Sequence, residues 1–431
     1  MREPFFFYEL IIMGNEPVQN SINTEPSGFG ALGINEKILQ VLAAIKFTVP
    51  TPIQHKAIPI AIAGKDVMGI AQTGTGKTLA FGLPMIQRLA AMPGKKGIVV
   101  LPTRELALQV DEMLQKVGRG FGLKTAVLIG GTGMGPQISA LRRGPHIVIG
   151  TPGRINDHLE RKTLQLSNVA MLVLDEADHM FDMGFLPQIK KIITHIPEER
   201  QTMLFSATMP SEILKLATAY MKLPLRIEIA PQGTTAERVE QEIFFTGRDQ
   251  RMPLLQKLLG DLHGSVLVFL RTKHNAKKIC RQLLAADIPA AEIHSNRSLS
   301  QRRAALDGFK SGKYRVLVAT DIAARGIDVK GIGLVVNYDL PENSSDYVHR
   351  IGRTGRAGQA GRAISFALPD QRSKVREIER LIRNPISVTP LPGGLPQVAP
   401  VPYEKPYQHQ RTGYQGKRPF QKTFRKPFKR Y

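Results

Sequence analysis

Eight residues, Ala71-Gln72-Thr73-Gly74-Thr75-Gly76-Lys77-Thr78, carry the most specific chemistry in the chain. They follow a short apolar run, Asp66–Ile70, and precede a helix-like stretch, Leu79–Leu89. Small residues in such a turn let successive backbone N–H groups wrap a phosphate at a helix N-terminus. Lys77 is then placed to reach the β- and γ-phosphates of a nucleotide, and the Thr78 hydroxyl to ligate Mg²⁺. Ala71 stands where the generic pattern has Gly, so the strand–loop–helix setting carries the assignment. A loop of this kind needs an acid at the end of another buried strand. Met171–Leu174 runs straight into Asp175-Glu176-Ala177-Asp178. Asp175 is placed to hold Mg²⁺, directly or through water, and Glu176 to orient and deprotonate an attacking water. Acids at a strand end also suit a plain helix N-terminus. Paired with the phosphate loop they favour phosphoryl transfer, which asks of a protein mainly positioning and charge stabilisation.

The elements that must position these groups show in the hydropathy. Short Val- and Ile-rich runs alternate with longer amphipathic stretches: 66–70, 98–101, 126–129, 147–149, 171–174 and 202–205. Continuous apolar runs of this length read as buried parallel strands, and their alternation with helices gives a doubly wound α/β sheet. Ala230–Thr234 interrupts the rhythm. It restarts at 242–245, 266–270, 290–293, 316–319, 334–337 and 363–366. The expected organisation is a leader over 1–26, a nucleotide-binding domain over 27–228, a linker over 229–241, a second α/β domain over 242–384 and a basic tail over 385–431.

Charge narrows the partners. The net charge is +23, which favours a polyanion, either nucleic acid or an anionic membrane surface. The run Phe5–Met13 is too short to span a bilayer and lacks the basic flank and small-residue cleavage site of a signal peptide. It reads as a disordered or weakly docked leader, with Met13 as an internal alternative start. No other stretch approaches transmembrane length, so nucleic acid is the expected partner. From Val401 to Tyr431 there are nine Lys or Arg, one acid and seven Tyr or Phe. That composition cannot build a core and reads as disordered. It suits single-stranded nucleic acid, with charges on phosphates and rings on bases; a solubilising tail is the alternative. The one cysteine, Cys280, excludes an intrachain disulfide and reads as a small buried apolar residue in a reducing, cytoplasmic setting.

These motifs, in this order over roughly residues 28–370, resemble the DEAD-box RNA helicase family, with the literal Asp-Glu-Ala-Asp at 175–178. The nearest likeness is to the bacterial RhlE-like branch. The resemblance implies two tandem RecA-like domains that use ATP and Mg²⁺. It makes Phe47–Gln54 the adenine-reading motif: the Gln54 amide pairs with adenine, Phe47 stacks on it, and Phe29 stands further back. It places Pro102, Thr103, Arg104, Gly131, Thr151, Pro152, Gly153 and Arg154 along an RNA groove, each in a loop that ends a strand, where α/β proteins bind ligands. Ser206 and Thr208 link nucleotide state to RNA through Asp178; read alone, Ser206–Thr208 is a helix cap.

In the second domain the resemblance assigns Thr320 and Asp321 to RNA, and Gly326 and Asp328 to the nucleotide's ribose side. Arg271, Thr272 and Arg302 are further RNA contacts, and His349 and Arg350 couple the sites. Arg350, Arg353 and Arg356 recur every three residues, which puts them on one helical face. A solvated basic helix has the same spacing. A hydrolase needs positive charge at the γ-phosphate, however, and the first domain offers little beyond Lys77. Arg353 and Arg356 are therefore the expected arginine fingers, delivered on domain closure. Two positions depart from the family pattern: Lys46 replaces the usual Gly and Leu299 the usual Gln.

The expectation is an RNA-stimulated ATPase that clamps RNA by its backbone, with little sequence preference, and locally unwinds short duplexes or remodels RNA–protein complexes. Ribosome-assembly or RNA-decay proteins are the expected class of protein partner. Two rivals remain: a DNA-translocating helicase or other P-loop ATPase, and a passive RNA chaperone acting through the basic tail.

Overall fold

The computed structural model describes residues 28–72, 74–229, 239–324, 329, 331–355 and 361–395. Thr73, Gly326, Asp328 and Arg356, the leader, most of the linker and the tail from 396 lie outside the described residues. Two α/β domains follow one another. The first holds β1 (Val67–Ile70), β2 (Lys96–Val100), β3 (Thr125–Leu128), β4 (Ile147–Gly150), β5 (Val169–Leu174), β6 (Gln201–Ser206) and β7 (Leu225–Glu228). The second holds β8 (Val239–Phe245), β9 (Val266–Leu270), β10 (Ala290–Ile293), β11 (Val316–Thr320), β12 (Leu334–Asn337), β13 (Gly361–Ala367) and β14 (Ser387–Val388). Each sheet has seven strands, in the orders β3-β4-β2-β5-β6-β1-β7 and β10-β11-β9-β12-β13-β8-β14, and the pairings are parallel. The apolar runs were therefore strands because both faces of each sheet are covered by helices. β7 and β14 escaped notice because neither is a buried apolar run: β7 buries only Ile227, and β14 is exposed.

The topology decides what meets. β1, β6 and β5 are neighbours, so the phosphate loop, Ser206–Thr208 and Asp175–Asp178 emerge side by side at the same sheet edge. Strands sit about 4.8 Å apart, which puts β1 and β5 within roughly 10 Å of each other. The phosphate-loop helix, Lys77–Ala90, packs on the helix Pro52–Ile62, which carries Gln54.

Read in sheet order, the second domain repeats the first, with β8 in the place of β1 and β12 in that of β5. Its corresponding crevice is filled. Arg251 begins the helix after β8 and meets Asp339, just past β12, at 2.8 Å. Lys77 and Asp175 occupy the matching positions in the first domain at 4.0 Å.

The second domain also extends beyond the expected boundary at 384. Ile386 is buried, β14 pairs with β8, and Leu391 and Leu395 pack on the core. Pro- and Gly-rich composition masked these apolar anchors. Cys280 is buried, and that burial pushes its thiol up to about 11, as a packing residue rather than a nucleophile. No helix among the described residues is long and apolar enough to cross a membrane.

Candidate functional site

Lys77 is 5% exposed and its ammonium has no hydrogen-bond partner among the described residues; Asp175 Oδ1 lies 4.0 Å from it. A buried ammonium left in this state is poised for anionic oxygens. The loop before it is shaped by glycines at positive φ, 84° at Gly74 and 90° at Gly76, and by the Thr75 hydroxyl donating to the Gln72 carbonyl at 2.7 Å. Thr78 is half-buried on the first helical turn. Gln54 holds this loop in place: its Nε2 donates to the Gly76 carbonyl at 3.0 Å, and its Oε1 accepts from the Thr51 N–H at 2.9 Å. A Cβ on Gly76 would lie 2.3 Å from that Nε2. One proton and one lone pair of the amide thus stay bound to the protein.

Phe47 is exposed, whereas Phe29 is 4% exposed and belongs to the core, so it presents no stacking face. Lys46 adopts φ 61°, which explains why Gly is usual there. Lys46→Gly is expected to stabilise the first domain by up to about 1 kcal/mol and to raise its melting temperature by about 2–4 °C. A thermal melt of both proteins checks this.

The acids sit deep. Asp175, Glu176 and Asp178 are each 2% exposed. Glu176 adopts φ 53°, a left-handed conformation that costs of order 1–3 kcal/mol in a non-Gly residue and marks functional sites. Its Oε2 accepts from His179 Nδ1 at 2.8 Å. Burial acts to raise the Glu176 carboxyl, but His179, Lys77 and Arg353 outweigh it and hold the group well below the usual range. Asp175 goes the other way: burial pushes it up to about 6 against the pull of Lys77.

Since ionised Asp175 is disfavoured in the fold, its contribution costs nothing below about pH 4. The cost grows as pH rises through the interval to about 6, and it is full above that. Asp175→Asn is therefore expected to raise the melting temperature of the nucleotide- and metal-free protein at pH 7.5 by several degrees, with the gain falling to about a third of that near pH 4.5. A pH series of melts tests it, and an equal gain at both pH values would contradict it.

Asp178 joins the ends of the adjacent strands β5 and β6. Its Oδ2 accepts from the Thr208 N–H at 2.8 Å, the Thr208 hydroxyl at 2.9 Å and the Ala207 N–H at 3.2 Å, while its own N–H donates to Ser206 Oγ at 3.1 Å. The second domain completes the crevice. His349 Nε2 lies 3.8 Å from Asp178 Oδ2, and its ring meets that of His179 edge-on at 4.3 Å. Arg353 is 2% exposed and close enough to Glu176 to help lower its carboxyl. The helix Ser344–Ile351 ends before Arg353, so Arg350 and Arg353 do not share one helical face. Arg350 turns inward instead. Fully buried, it clasps Asp321 at 2.5 and 2.7 Å, Asn337 Oδ1 at 3.1 Å and the Asp339 carbonyl at 2.6 Å. A buried guanidinium demands such partners, and Asp321 gives each of its two oxygens to Arg350.

The loops expected to face RNA gather at the first sheet's far side. Thr103 caps the helix Arg104–Gly118, accepting from the Leu106 N–H at 3.3 Å. Arg104 lies over Gly130 and Gly131; Gly131 has φ 76°, and a Cβ there would fall 2.1 Å from Arg104 Nη1. Arg154 Nη1 donates to the Thr132 carbonyl at 3.1 Å. Pro102, Thr151 and Pro152 are buried and Gly153 is exposed. Across the cleft Arg271 and Thr272 are exposed and Thr320 half-buried. Arg302 departs from expectation. It is 8% exposed and pairs with the buried Glu105 of the first domain at 3.0 Å, which makes it a bridge between domains. The sequence reading also missed His179, Glu105 and Asp339. Of these only His179 left a signal, one helical turn after Glu176.

Two stacked α/β units, one with a phosphate loop and the other closing on it, define a nucleotide-hydrolysing machine of the RecA-like class. A family model described as DEAD/DEAH box helicase matches residues 51–216, and one for the helicase conserved C-terminal domain matches 250–358. The DEAD-box ATP-dependent RNA helicase CshA of Bacillus subtilis is 41% identical over 355 residues, 82% of this chain and 72% of that protein. Its namesake in Listeria monocytogenes is 42% identical over 354 residues, 81% and 68% respectively. Among solved structures, Dbp5 of S. cerevisiae bound to RNA and ADP BeF3 matches with a TM-score of 0.76 at 29% identity, covering 84% of this chain and 95% of that one. Mss116p bound to ssRNA and AMP-PNP gives 0.79 at 28% identity, covering 86% and 80%. The chain belongs to the DEAD-box helicase family. Both of these relatives are of the CshA type and not specifically of the expected RhlE-like branch.

Proposed function

We propose that the chain is an ATP-dependent RNA helicase whose ATPase is assembled by domain closure and whose closed form grips RNA across both domains. One observation carries this reading: Arg353 of the second domain is buried beside Glu176 of the first. The hydrolytic set is thus complete only when the domains meet. ATP is the substrate of the crevice, with its phosphates on Ala71–Thr78 and Lys77, and its base against Phe47 and the free half of the Gln54 amide. The oxygen donors Thr78 and Asp175 suit a small hard dication, and Mg²⁺ held there supplies positive charge to the phosphates. Glu176, kept ionised, accepts a proton from the attacking water. Arg353, with Arg356 beyond the described residues, neutralises charge at the γ-phosphate.

RNA is gripped by Arg104, Arg154, Arg271 and Thr272 through its backbone. ATP and RNA both favour the closed form, so each strengthens the other's binding. The likeness to RNA-bound relatives supports RNA as the polymer. We place the domains at 27–228 and from β8 to Leu395, followed by the basic tail as an additional RNA-binding segment, and the protein in the cytoplasm. Ribosome-assembly or RNA-decay proteins are its proposed partners. The deciding experiment compares ATPase stimulation by single-stranded RNA and by DNA of the same sequence. Strong stimulation by RNA alone supports the proposal; equal stimulation by both refutes it.

A further inference from the structure

The helix Leu299–Lys310 of the second domain lies against the helix Arg104–Gly118 of the first. Arg302 meets Glu105 at 3.0 Å, and further along Arg303 and Lys310 help to lower the Glu112 carboxyl, after its own neighbour Lys116. At the start of this helix stands Leu299, half-buried and packed against the hydrophobic core cluster of the first domain. Every other described side chain of that cluster belongs to residues 29–229; Leu299 is the single contribution from the second domain. The first turn that presents it is fixed by a capping box, with the Gln301 N–H donating to Ser298 Oγ at 3.2 Å and the Ser298 N–H to Gln301 Oε1 at 3.1 Å.

We infer that Leu299 is a positioning residue for domain closure, an apolar latch whose burial on the first domain favours the closed clamp. In the open form Leu299 faces water; on closure its surface is removed from water, a difference in free energy between the two states and therefore a bias on their populations. The neighbouring Arg302–Glu105 pair fixes direction and register. The latch supplies attraction that salt does not screen.

This inference rests on the clamp reading, and the test separates the two. Affinity for a fluorescent single-stranded RNA is measured on the full chain with and without a non-hydrolysable ATP analogue, for the wild type and for Leu299→Ala, Leu299→Gln and Leu299→Met. The wild type is expected to bind RNA more tightly with the analogue. Leu299→Ala and Leu299→Gln are expected to lose about 3- to 20-fold of that tightening, at low and high salt alike. Their nucleotide-free RNA affinity and melting temperature stay at wild-type values, and Leu299→Met retains the tightening. If the wild type shows no tightening, the clamp reading itself fails. Wild-type tightening in Leu299→Ala overturns the latch, and wild-type tightening in Leu299→Gln alone overturns its apolar character.

Discussion

Glu176→Gln is expected to lower RNA-stimulated ATP hydrolysis by about 10²–10⁴-fold while leaving ATP and RNA binding intact. The substitution preserves shape and the contact to His179, but it removes the negative charge that accepts a proton from water. That charge is built in: His179, Lys77 and Arg353 together hold the carboxyl ionised despite full burial. In the proposed clamp, hydrolysis is the step that releases the closed form, so the variant with ATP is expected to hold RNA longer than the wild type does. Steady-state phosphate release and an RNA dissociation rate measure the two effects. Retention of half the wild-type turnover would remove Glu176 from the mechanism.

Arg353→Ala is expected to cost more, about 10³–10⁵-fold in turnover. The side chain is buried at the domain junction beside Glu176, where water cannot substitute for its charge. The proposed ATP-binding groups Lys77, Thr78 and Gln54 belong to the first domain, so the dissociation constant for ATP should change far less than turnover. Arg353→Lys is expected to recover only part of the rate, since a point ammonium cannot reproduce the planar fork of a guanidinium. A rate loss matched by an equal loss of ATP affinity would assign Arg353 to binding instead.

The ionisation of Glu176 depends partly on Arg353, so the two predictions are coupled. Combining the substitutions is expected to cost less than the product of their separate effects. Single-turnover kinetics of the double variant would show it.

Much of this machinery was legible in the chain. The phosphate loop, the acids at 175–178 and the buried strands were readable because each depends on local rules. A glycine-rich turn, a strand end and a continuous apolar run are all properties of a few adjacent residues. The errors have a common origin. Arg302 and Asp321 were expected to contact RNA, but each is paired with a partner far away in sequence, Glu105 and Arg350. Phe29, an isolated aromatic in sequence, proved to be core. The spacing of Arg350 and Arg353 suggested one shared role, yet the helix ends between them and their side chains serve different ends.

By itself the sequence determined two parallel α/β units, the phosphate-binding loop, the acids that face it and a strongly basic chain. Those features follow from periodicity, charge and backbone sterics. Only the tertiary structure decided that Gln54 braces the phosphate loop, that the second domain's own crevice is closed by Arg251 and Asp339, and that Leu299 lies on the first domain. Each of these joins residues remote along the chain, and strand order and domain closure set their distances. A linear pattern of residue types carries no record of those distances.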